Sequence, residues 1–194
     1  MGRDRRGRIR SAAVGRFQNA MTNNQGGCGV NQTQGQPIWK LTEMHHIGLT
    51  VSDIERSIVF YRDTLGLELV GRRPSVAAGY VGQQTGYDGV ELNVASFRVH
   101  ANSQQSIEMV QYMNHVGEPI DPATNRAGST HLCLLVDDLQ ESVKDLKSRG
   151  VCFKSEPVSI TAGPNQGGLV IYLLDPDGYT LELFQPPIPP GGDD

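Results

Sequence analysis

The chain has 194 residues, of which 38% are hydrophobic and 20% charged, the composition of an ordinary folded domain. No apolar run approaches the roughly 20 residues of a membrane-spanning helix, which excludes an integral membrane protein. The net charge is −4, but six arginines against one acid give residues 1–20 a charge of +5, so the remainder carries −9. Because nucleic acid requires a clustered basic face, this acidic body predicts no nucleic-acid partner. The lack of a spanning apolar run predicts no membrane partner.

The cysteines and the N-terminus indicate the compartment. Cys28, Cys133 and Cys152 have no CxxC spacing, and an odd number does not make a disulfide framework. Cys133 and Cys152 lie in apolar segments, where we expect buried, inert thiols. The N-terminal segment lacks the apolar stretch of a secretory signal. These features predict a cytoplasmic protein.

The chain then divides by composition. Residues 21–40 are rich in Gly, Gln and Asn, so residues 1–40 are interpreted as a flexible N-terminal arm. Residues 41–120 and 121–187 are interpreted as two related modules, followed by a short tail at 188–194. A glycine-rich segment, residues 80–88, is an insertion in the first module.

The two modules are nearly repeats of one another. The segment HIGLTVSDIERSIVFYRDTLGLEL begins at His46, and HLCLLVDDLQESVKDLKSRGVCF begins at His131. In both copies an aspartate capable of N-capping a helix follows the histidine by seven residues, at Asp53 and Asp138. Helical spacing of apolar residues comes next, including Ile54, Ile58 and Tyr61 in the first copy.

Further strands complete each module. They are predicted over residues 90–99 and 106–112, and over 169–174 and 180–184. A four-stranded sheet with one helix leaves its second face needing cover. We therefore expect an α+β fold in which two βαβββ modules pair their sheets into an open barrel that contains a cleft.

Equivalent positions in the two modules carry residues typical of metal sites. His46 and His131 begin the first strand of each module, and Glu108 and Glu182 lie on the last strand between apolar neighbours. Because strand side chains alternate, each glutamate points away from its neighbours, either to water or into the cleft. Singly, each residue is more often structural or solvated, but their paired occurrence favours one divalent ion. This donor set suits Zn foremost, and also Ni, Co, Mn or Fe(II).

Four segments, MHHIGLTVSDIERSIVFYRDTLGLEL, SIEMVQY, STHLCLLVDDL and DPDGYTLELFQP, resemble the vicinal oxygen chelate superfamily. That superfamily includes glyoxalase I, methylmalonyl-CoA epimerase, extradiol dioxygenases and fosfomycin-resistance proteins, and the resemblance covers residues 43–186. It implies paired βαβββ modules around one metal ion and often a homodimer. It also implies a small-molecule substrate whose vicinal oxygens bind the metal, which stabilises an enediolate or similar oxyanion.

The types of the predicted ligands narrow the choice among the activities of this superfamily. Two histidines with two glutamates are similar to glyoxalase I or an epimerase, and Glu108 argues against extradiol ring cleavage. The glutathione anchors of glyoxalase I would stand at Thr50 and Tyr112, which are not the expected arginine and asparagine. A glyoxalase I-type lyase is therefore the second choice. No basic set for a coenzyme A arm is evident, whereas the layout resembles 2-epi-5-epi-valiolone epimerases.

We therefore expect a metal-dependent epimerase that abstracts a proton α to a ketone of a small polyhydroxylated, cyclitol- or sugar-like substrate. Glu108 and Glu182 would be catalytic as well as ligands. Four polar residues near them are candidates for substrate binding, although such residues are more often structural or solvent-exposed: Arg98, His100, Tyr112 and Tyr172. A third possibility is a non-catalytic small-molecule (drug) binding protein, which would purify without stoichiometric metal.

Overall fold

The computed structural model describes residues 39–188. By its internal contacts the chain divides into a first unit, Met1–Thr42, and a second unit, Glu43–Asp194. Residues 39–42 form neither helix nor strand, and Trp39 and Leu41 are exposed. The predicted arm lies outside the described residues except for its last two, and the predicted tail lies outside them except for its first.

The second unit contains the two predicted modules. The first comprises β1 (His46–Thr50), α1 (Ile54–Ile58), β2 (Glu68–Val76), α2 (Gly79–Thr85), β3 (Leu92–Arg98) and β4 (Ser106–Tyr112). The second comprises β5 (His131–Leu135), α3 (Leu139–Ser148), β6 (Val158–Ser159), β7 (Leu169–Leu174) and β8 (Thr180–Gln185). Each module has its own four-stranded sheet, ordered β1-β4-β3-β2 in the first and β5-β8-β7-β6 in the second. The prediction of two βαβββ modules with open sheets is confirmed.

Capping residues start the helices where the sequence predicts them. The Asp53 carboxylate accepts hydrogen bonds from the backbone N–H groups of Glu55 and Arg56, at 3.0 and 3.1 Å. Asp138 accepts one from the Glu141 N–H at 3.0 Å. Both aspartates have extended backbone, as an N-cap requires, and they satisfy N–H groups that have no partner inside the helix.

Two segments differ from the sequence prediction. The first helix was expected to continue as an α-helix through Tyr61, but after Ile58 it becomes a π-helix over Val59–Thr64. The glycine-rich insertion, for which no element is predicted from the sequence, mostly forms α2. This helix ends at Gly86, whose φ of 76° is the left-handed conformation that glycine adopts without steric cost.

One hydrophobic core joins the two modules. It takes apolar residues from the helix-bearing side of each sheet and from the helices of both modules. Its most buried members include Tyr61, Phe97, Met109, Leu139 and Leu181, each with no exposed surface. The α1 and α3 sides of the sheets therefore face the shared core. The opposite side of each sheet, here called its open face, lies outside that core.

The turn between β7 and β8 links the modules further. Tyr61 donates a hydrogen bond from its hydroxyl to the buried Asp175 carboxylate at 3.0 Å. Asp177 accepts from the Ser52 hydroxyl and from the Arg56 guanidinium, each at 2.5 Å. Burial raises the pKa of Asp175 above its ordinary value, and the hydrogen bonds that it accepts partly offset this effect.

Across residues 39–188 the structure contains no helix with the length and apolar character needed to span a bilayer.

Candidate metal centre

The predicted ligands occupy equivalent places on the two open faces. In the first sheet β1 pairs with β4 in parallel, with His46 opposite Ser106 and Gly48 opposite Glu108. In the second sheet β5 pairs with β8 in parallel, with His131 opposite Thr180 and Cys133 opposite Glu182. Since side chains two residues apart share a face, each histidine lies diagonally beside the glutamate of the neighbouring strand.

The second pair is in direct contact. His131 Nε2 lies 2.9 Å from Glu182 Oε2, and the glutamate side chain is 18% exposed. Two donor atoms that bind one cation at right angles, each about 2.1 Å from it, stand roughly 3 Å apart. The separation and the imidazole–carboxylate chemistry therefore fit two neighbouring ligands of one divalent ion.

The first pair has different partners. Glu108 Oε2 accepts a hydrogen bond from Arg73 Nη2 of β2 at 2.8 Å. His46 Nδ1 lies 2.8 Å from His45 Nδ1, so one of these two rings donates to the other. The contact with His45 leaves Nε2 of His46 as the nitrogen for a metal. Glu108 would exchange its guanidinium partner for the cation.

The four predicted ligands do not converge within one chain. Among the residues that the structure describes, no group of three or more His, Cys, Asp or Glu side chains is placed to hold a metal ion. The ligands lie instead as two pairs, one on each open face. Because the shared core lies on the other side of both sheets, each pair is open to solvent or to another molecule.

The predicted substrate-binding residues are more dispersed. Tyr172 lies opposite Glu182 in the sheet register, and its ring centroid is 5.4 Å from that of His131. Arg98 ends β3, and its buried Nε has no hydrogen-bond partner in the structure. His100 lies in the exposed turn that follows β3. Tyr112 packs 5.7 Å from Tyr87, beside the small apolar cluster under α2.

Cys133 was missed as a site residue and does not match its predicted burial. Its side chain is exposed and faces Glu182 from the neighbouring strand. Partial burial of the thiol, followed by the charge of Glu182 and a hydrogen bond to it, raises the Cys133 pKa to about 11. The signal was available in the sequence, because a period of two puts residue 133 on the face of His131. Cys152 is exposed as well.

Lys154 is a second residue that sequence reasoning missed. Its ammonium group donates to the Thr180 hydroxyl at 2.8 Å and lies 5.7 Å from the ring centroid of Tyr172. Its backbone N–H donates to the Tyr172 carbonyl at 2.9 Å, which ties this segment to β7. No short motif marks this lysine, since long-range backbone pairing of residues 152–154 with β7 brings it to the sheet.

Comparison with known proteins gives the family. Residues 43–183 match the family model described as Glyoxalase/Bleomycin resistance protein/Dioxygenase superfamily. The match covers both modules and all four predicted ligands. The chain therefore belongs to this superfamily, and its recognition as a vicinal oxygen chelate protein is confirmed.

Relatives with named activities are enzymes of more than one kind. The chain is 28% identical to mitochondrial methylmalonyl-CoA epimerase of Mus musculus, over 91% of this chain and 94% of the relative. It is 26% identical to 2-epi-5-epi-valiolone epimerase of Actinomyces sp, over 79% and 84%. It is 29% identical to lactoylglutathione lyase of Salmonella typhimurium, over 72% and 90%. It spans only 35% of a probable chloroplastic lactoylglutathione lyase of Arabidopsis thaliana, with 28% identity.

Solved structures share the fold. A glyoxalase family protein from Bacillus cereus superposes with a TM-score of 0.68 at 20% identity, covering 79% of this chain and all of that one. Glyoxalase I of Leishmania major gives a TM-score of 0.54 at 20% identity, over 75% and 87%. TnmS3, an antibiotic binding protein from Streptomyces, gives 0.51 at 22%, over 76% and 98%. Catalysts and a binding protein thus share this architecture, so the fold alone does not select a function.

Proposed function

We propose that this protein is a metal-dependent epimerase or isomerase that moves a proton α to a ketone of a small polyhydroxylated substrate. The observation that carries the proposal is the pair of equivalent His–Glu sites, His46 with Glu108 and His131 with Glu182, on the open faces of the two sheets. The direct contact of 2.9 Å in the second pair supports it. Relatives with epimerase names match more than three quarters of the chain.

The working form that we propose is a homodimer. Each open face carries one imidazole and one carboxylate, which is half of a four-donor set. If the open face of the first sheet in one copy meets that of the second sheet in its partner, the two halves complete one site. A two-fold axis then generates a second, identical site. The exposed apolar residues Leu135 and Val158, 67% and 50% exposed on the second module, would be covered by the same contact.

The residues of the proposed site have separate roles. A bound cation would supply Lewis-acid polarisation of the ketone oxygen, which acidifies the neighbouring C–H bond. His46 and His131 would serve only as ligands. Glu108 and Glu182 come from different modules and would flank the substrate from two sides. One carboxylate would remove the proton and the other would return it on the opposite side. Tyr172, beside His131, would bind a substrate hydroxyl.

A glyoxalase I-type lyase is the second candidate, favoured by 29% identity to lactoylglutathione lyase over 90% of that enzyme. Both reactions transfer a proton beside a carbonyl, but only the lyase requires a thiol, glutathione. Turnover of methylglyoxal that requires glutathione would identify the lyase. Exchange of the α hydrogen of a hydroxyketone without any thiol would identify the epimerase.

Elemental analysis of the purified protein tests the site directly. After incubation with Zn, Ni, Co or Mn we expect about one ion per chain, since two histidines and two carboxylates suit these ions. The Glu182→Gln variant should lose most of this metal. Glu141→Gln is the matched control, because Glu141 is an exposed helix residue paired with Lys144. Wild-type protein that binds none of these ions would overturn the enzyme proposal and favour a binding protein.

The reaction is tested by hydrogen exchange. Metal-loaded protein should exchange the α hydrogen of small hydroxyketones for deuterium in D₂O, as observed by NMR of the substrate. The Glu182→Gln variant should lose this exchange, and Glu141→Gln should retain it. Metal-loaded protein that exchanges no hydroxyketone but consumes methylglyoxal with glutathione would replace the first candidate by the second.

A further inference from the structure

Most basic residues of the second unit are paired with a carboxylate, but two of them are not. Across residues 43–188 nearly every lysine and arginine has a carboxylate oxygen within 4.0 Å. The two exceptions in this range are Arg98 and Lys154. Neither is remote from the predicted metal ligands, since Arg98 ends the strand that pairs with β4 and Lys154 contacts residues of β7 and β8. Both unpaired cations thus belong to the sheets that carry the His–Glu pairs.

Lys154 is held in place by neutral groups. Among the residues that the structure describes, its only side-chain acceptor is the hydroxyl of Thr180, at 2.8 Å, and Thr180 is fully buried. The face of Tyr172 provides a weak cation–π contact at 5.7 Å. An ammonium group has three donors, so this arrangement fixes its position and leaves capacity for a further acceptor.

This position is next to the second His–Glu pair. Thr180, which Lys154 contacts, lies directly opposite His131 in the sheet. Tyr172, whose ring Lys154 approaches, lies opposite Glu182. The carboxylate of Glu182 is itself engaged with His131 at 2.9 Å. A positive charge beside the reaction site, without a protein carboxylate of its own, is suited to an anionic group on the substrate.

We propose that Lys154 binds an oxyanion of the substrate, a carboxylate or a phosphate, and thereby selects anionic hydroxyketones over neutral ones. This inference rests on the proposed function for the identity of the site and deepens it by naming the substrate class. Lys154 acts as a specificity-determining residue that orients the substrate over the His131–Glu182 pair.

Anion binding is tested without turnover. The lysines of the chain are Lys40, Lys144, Lys147 and Lys154, and reductive ¹³C-methylation retains their charge while giving each an NMR signal. The Lys154 signal is assigned by its loss in Lys154→Arg. The protein, with and without Zn, is titrated with inorganic phosphate and with malonate at constant ionic strength set by NaCl.

We expect a saturable shift of the Lys154 signal, at least threefold larger than that of Lys144. Lys144 is the internal control because it pairs with Glu141 on the exposed side of α3. The anion that produces the shift distinguishes phosphate from carboxylate recognition. Shifts of Lys154 no larger than those of Lys144, with both anions, would overturn the inference even if the protein binds metal.

Kinetics provide the second test. In the deuterium-exchange assay, Lys154→Met should raise KM for a phosphate- or carboxylate-bearing hydroxyketone at least tenfold, with a smaller change in kcat. Lys154→Arg should recover most of the affinity. Equal effects of Lys154→Met on anionic and neutral ketones would contradict a role in selectivity. If wild-type protein binds no metal, that result counts against the proposed function. The NMR titration without Zn still decides whether Lys154 binds anions.

Discussion

The two open faces differ although the modules are repeats. On the first sheet, α2 covers part of the face and encloses a small second core with Val81, Val90, Leu92 and Val94. On the second sheet no helix lies in the corresponding place among the described residues, and Leu135 is 67% exposed. The predicted ligand positions are equivalent in both modules, while their surroundings differ.

The carboxylates show the same divergence. Glu108 is paired with the Arg73 guanidinium, whereas Glu182 is paired with the His131 imidazole. A repeat therefore preserves the backbone register that places a ligand, but each copy sets the electrostatics of its ligand separately. In the proposed site, the second module would offer a pair whose donor separation fits a cation, and in the first a cation would have to displace the Arg73 guanidinium.

The largest expected effect comes from breaking one pair at a time. His46→Ala and His131→Ala should each lower α-hydrogen exchange by about 100-fold or more, because each removes a ligand from every site. In a homodimer whose sites combine both modules, one site of the mixed dimer contains neither mutation. After joint refolding of equal amounts, about a quarter of wild-type exchange should return, since half of the dimers are mixed.

The control for this experiment is refolding of each variant alone, which should return no exchange. Mass-tagged chains would verify that mixed dimers form. Mixed dimers without any recovered exchange would show that the four ligands act within one chain, which contradicts the proposed arrangement.

The second prediction compares apolar residues on the two open faces. Leu92→Ala should destabilise the protein by about 2 to 5 kcal/mol, since a buried leucine leaves a cavity. Leu135→Ala should change the unfolding free energy of a single chain by less than about 0.5 kcal/mol, because the side chain is exposed. Urea unfolding at low protein concentration measures both. If Leu135→Ala lowers the unfolding free energy by an amount that grows with protein concentration, a second copy of the chain covers this residue.

The third prediction concerns the contact that holds the modules together. Tyr61→Phe removes the donor to the buried Asp175 and should destabilise by about 1.5 to 3 kcal/mol, the range for a hydrogen bond to a charged group. Tyr80→Phe is the control, because Tyr80 is 60% exposed. Urea unfolding at neutral pH measures the difference.

The pH dependence of that difference follows from the Asp175 pKa. Burial raises this pKa, and the Tyr61 hydrogen bond lowers it by favouring the carboxylate. The contribution of Tyr61 is therefore present where Asp175 is ionised and is lost as pH falls through its folded-state pKa. The stability gap between wild type and Tyr61→Phe should narrow in acid. A gap that is constant with pH would show that Asp175 does not titrate in this range.

The smallest effect is expected at Arg73. Its ion pair with Glu108 is half exposed on the arginine side, and such pairs contribute about 0 to 1 kcal/mol. Arg73→Ala should therefore leave stability nearly unchanged and strengthen metal binding by less than about tenfold, by freeing Glu108. Arg72→Ala is the matched control, because Arg72 pairs with Glu55 instead. Isothermal titration with Zn measures the affinity of both variants. Weaker Zn binding by Arg73→Ala would contradict this prediction and show that Arg73 supports the metal site.

Much of the fold could be predicted because it depends on local patterns. Asp53 and Asp138 cap helices through side chains that reach only a few residues along the chain. Period-two alternation placed Glu108 and Glu182 opposite their apolar neighbours, which the structure buries in the core. The repeat itself placed His46 and His131 at equivalent positions. The same alternation places Cys133 on the face of His131, whereas its apolar setting predicts a burial that the structure does not show.

The sequence by itself thus determined the two modules, the superfamily and the equivalence of the four predicted ligand positions, because these follow from spacing along the chain. The tertiary structure decided that α1 and α3 share one core, so that the two His–Glu pairs lie on separate open faces. It also decided that Lys154 meets Thr180 and Tyr172, and that Arg73 meets Glu108. These contacts join residues 18 to 35 positions apart, and the identity of a long, flexible side chain does not specify which distant strand it will contact.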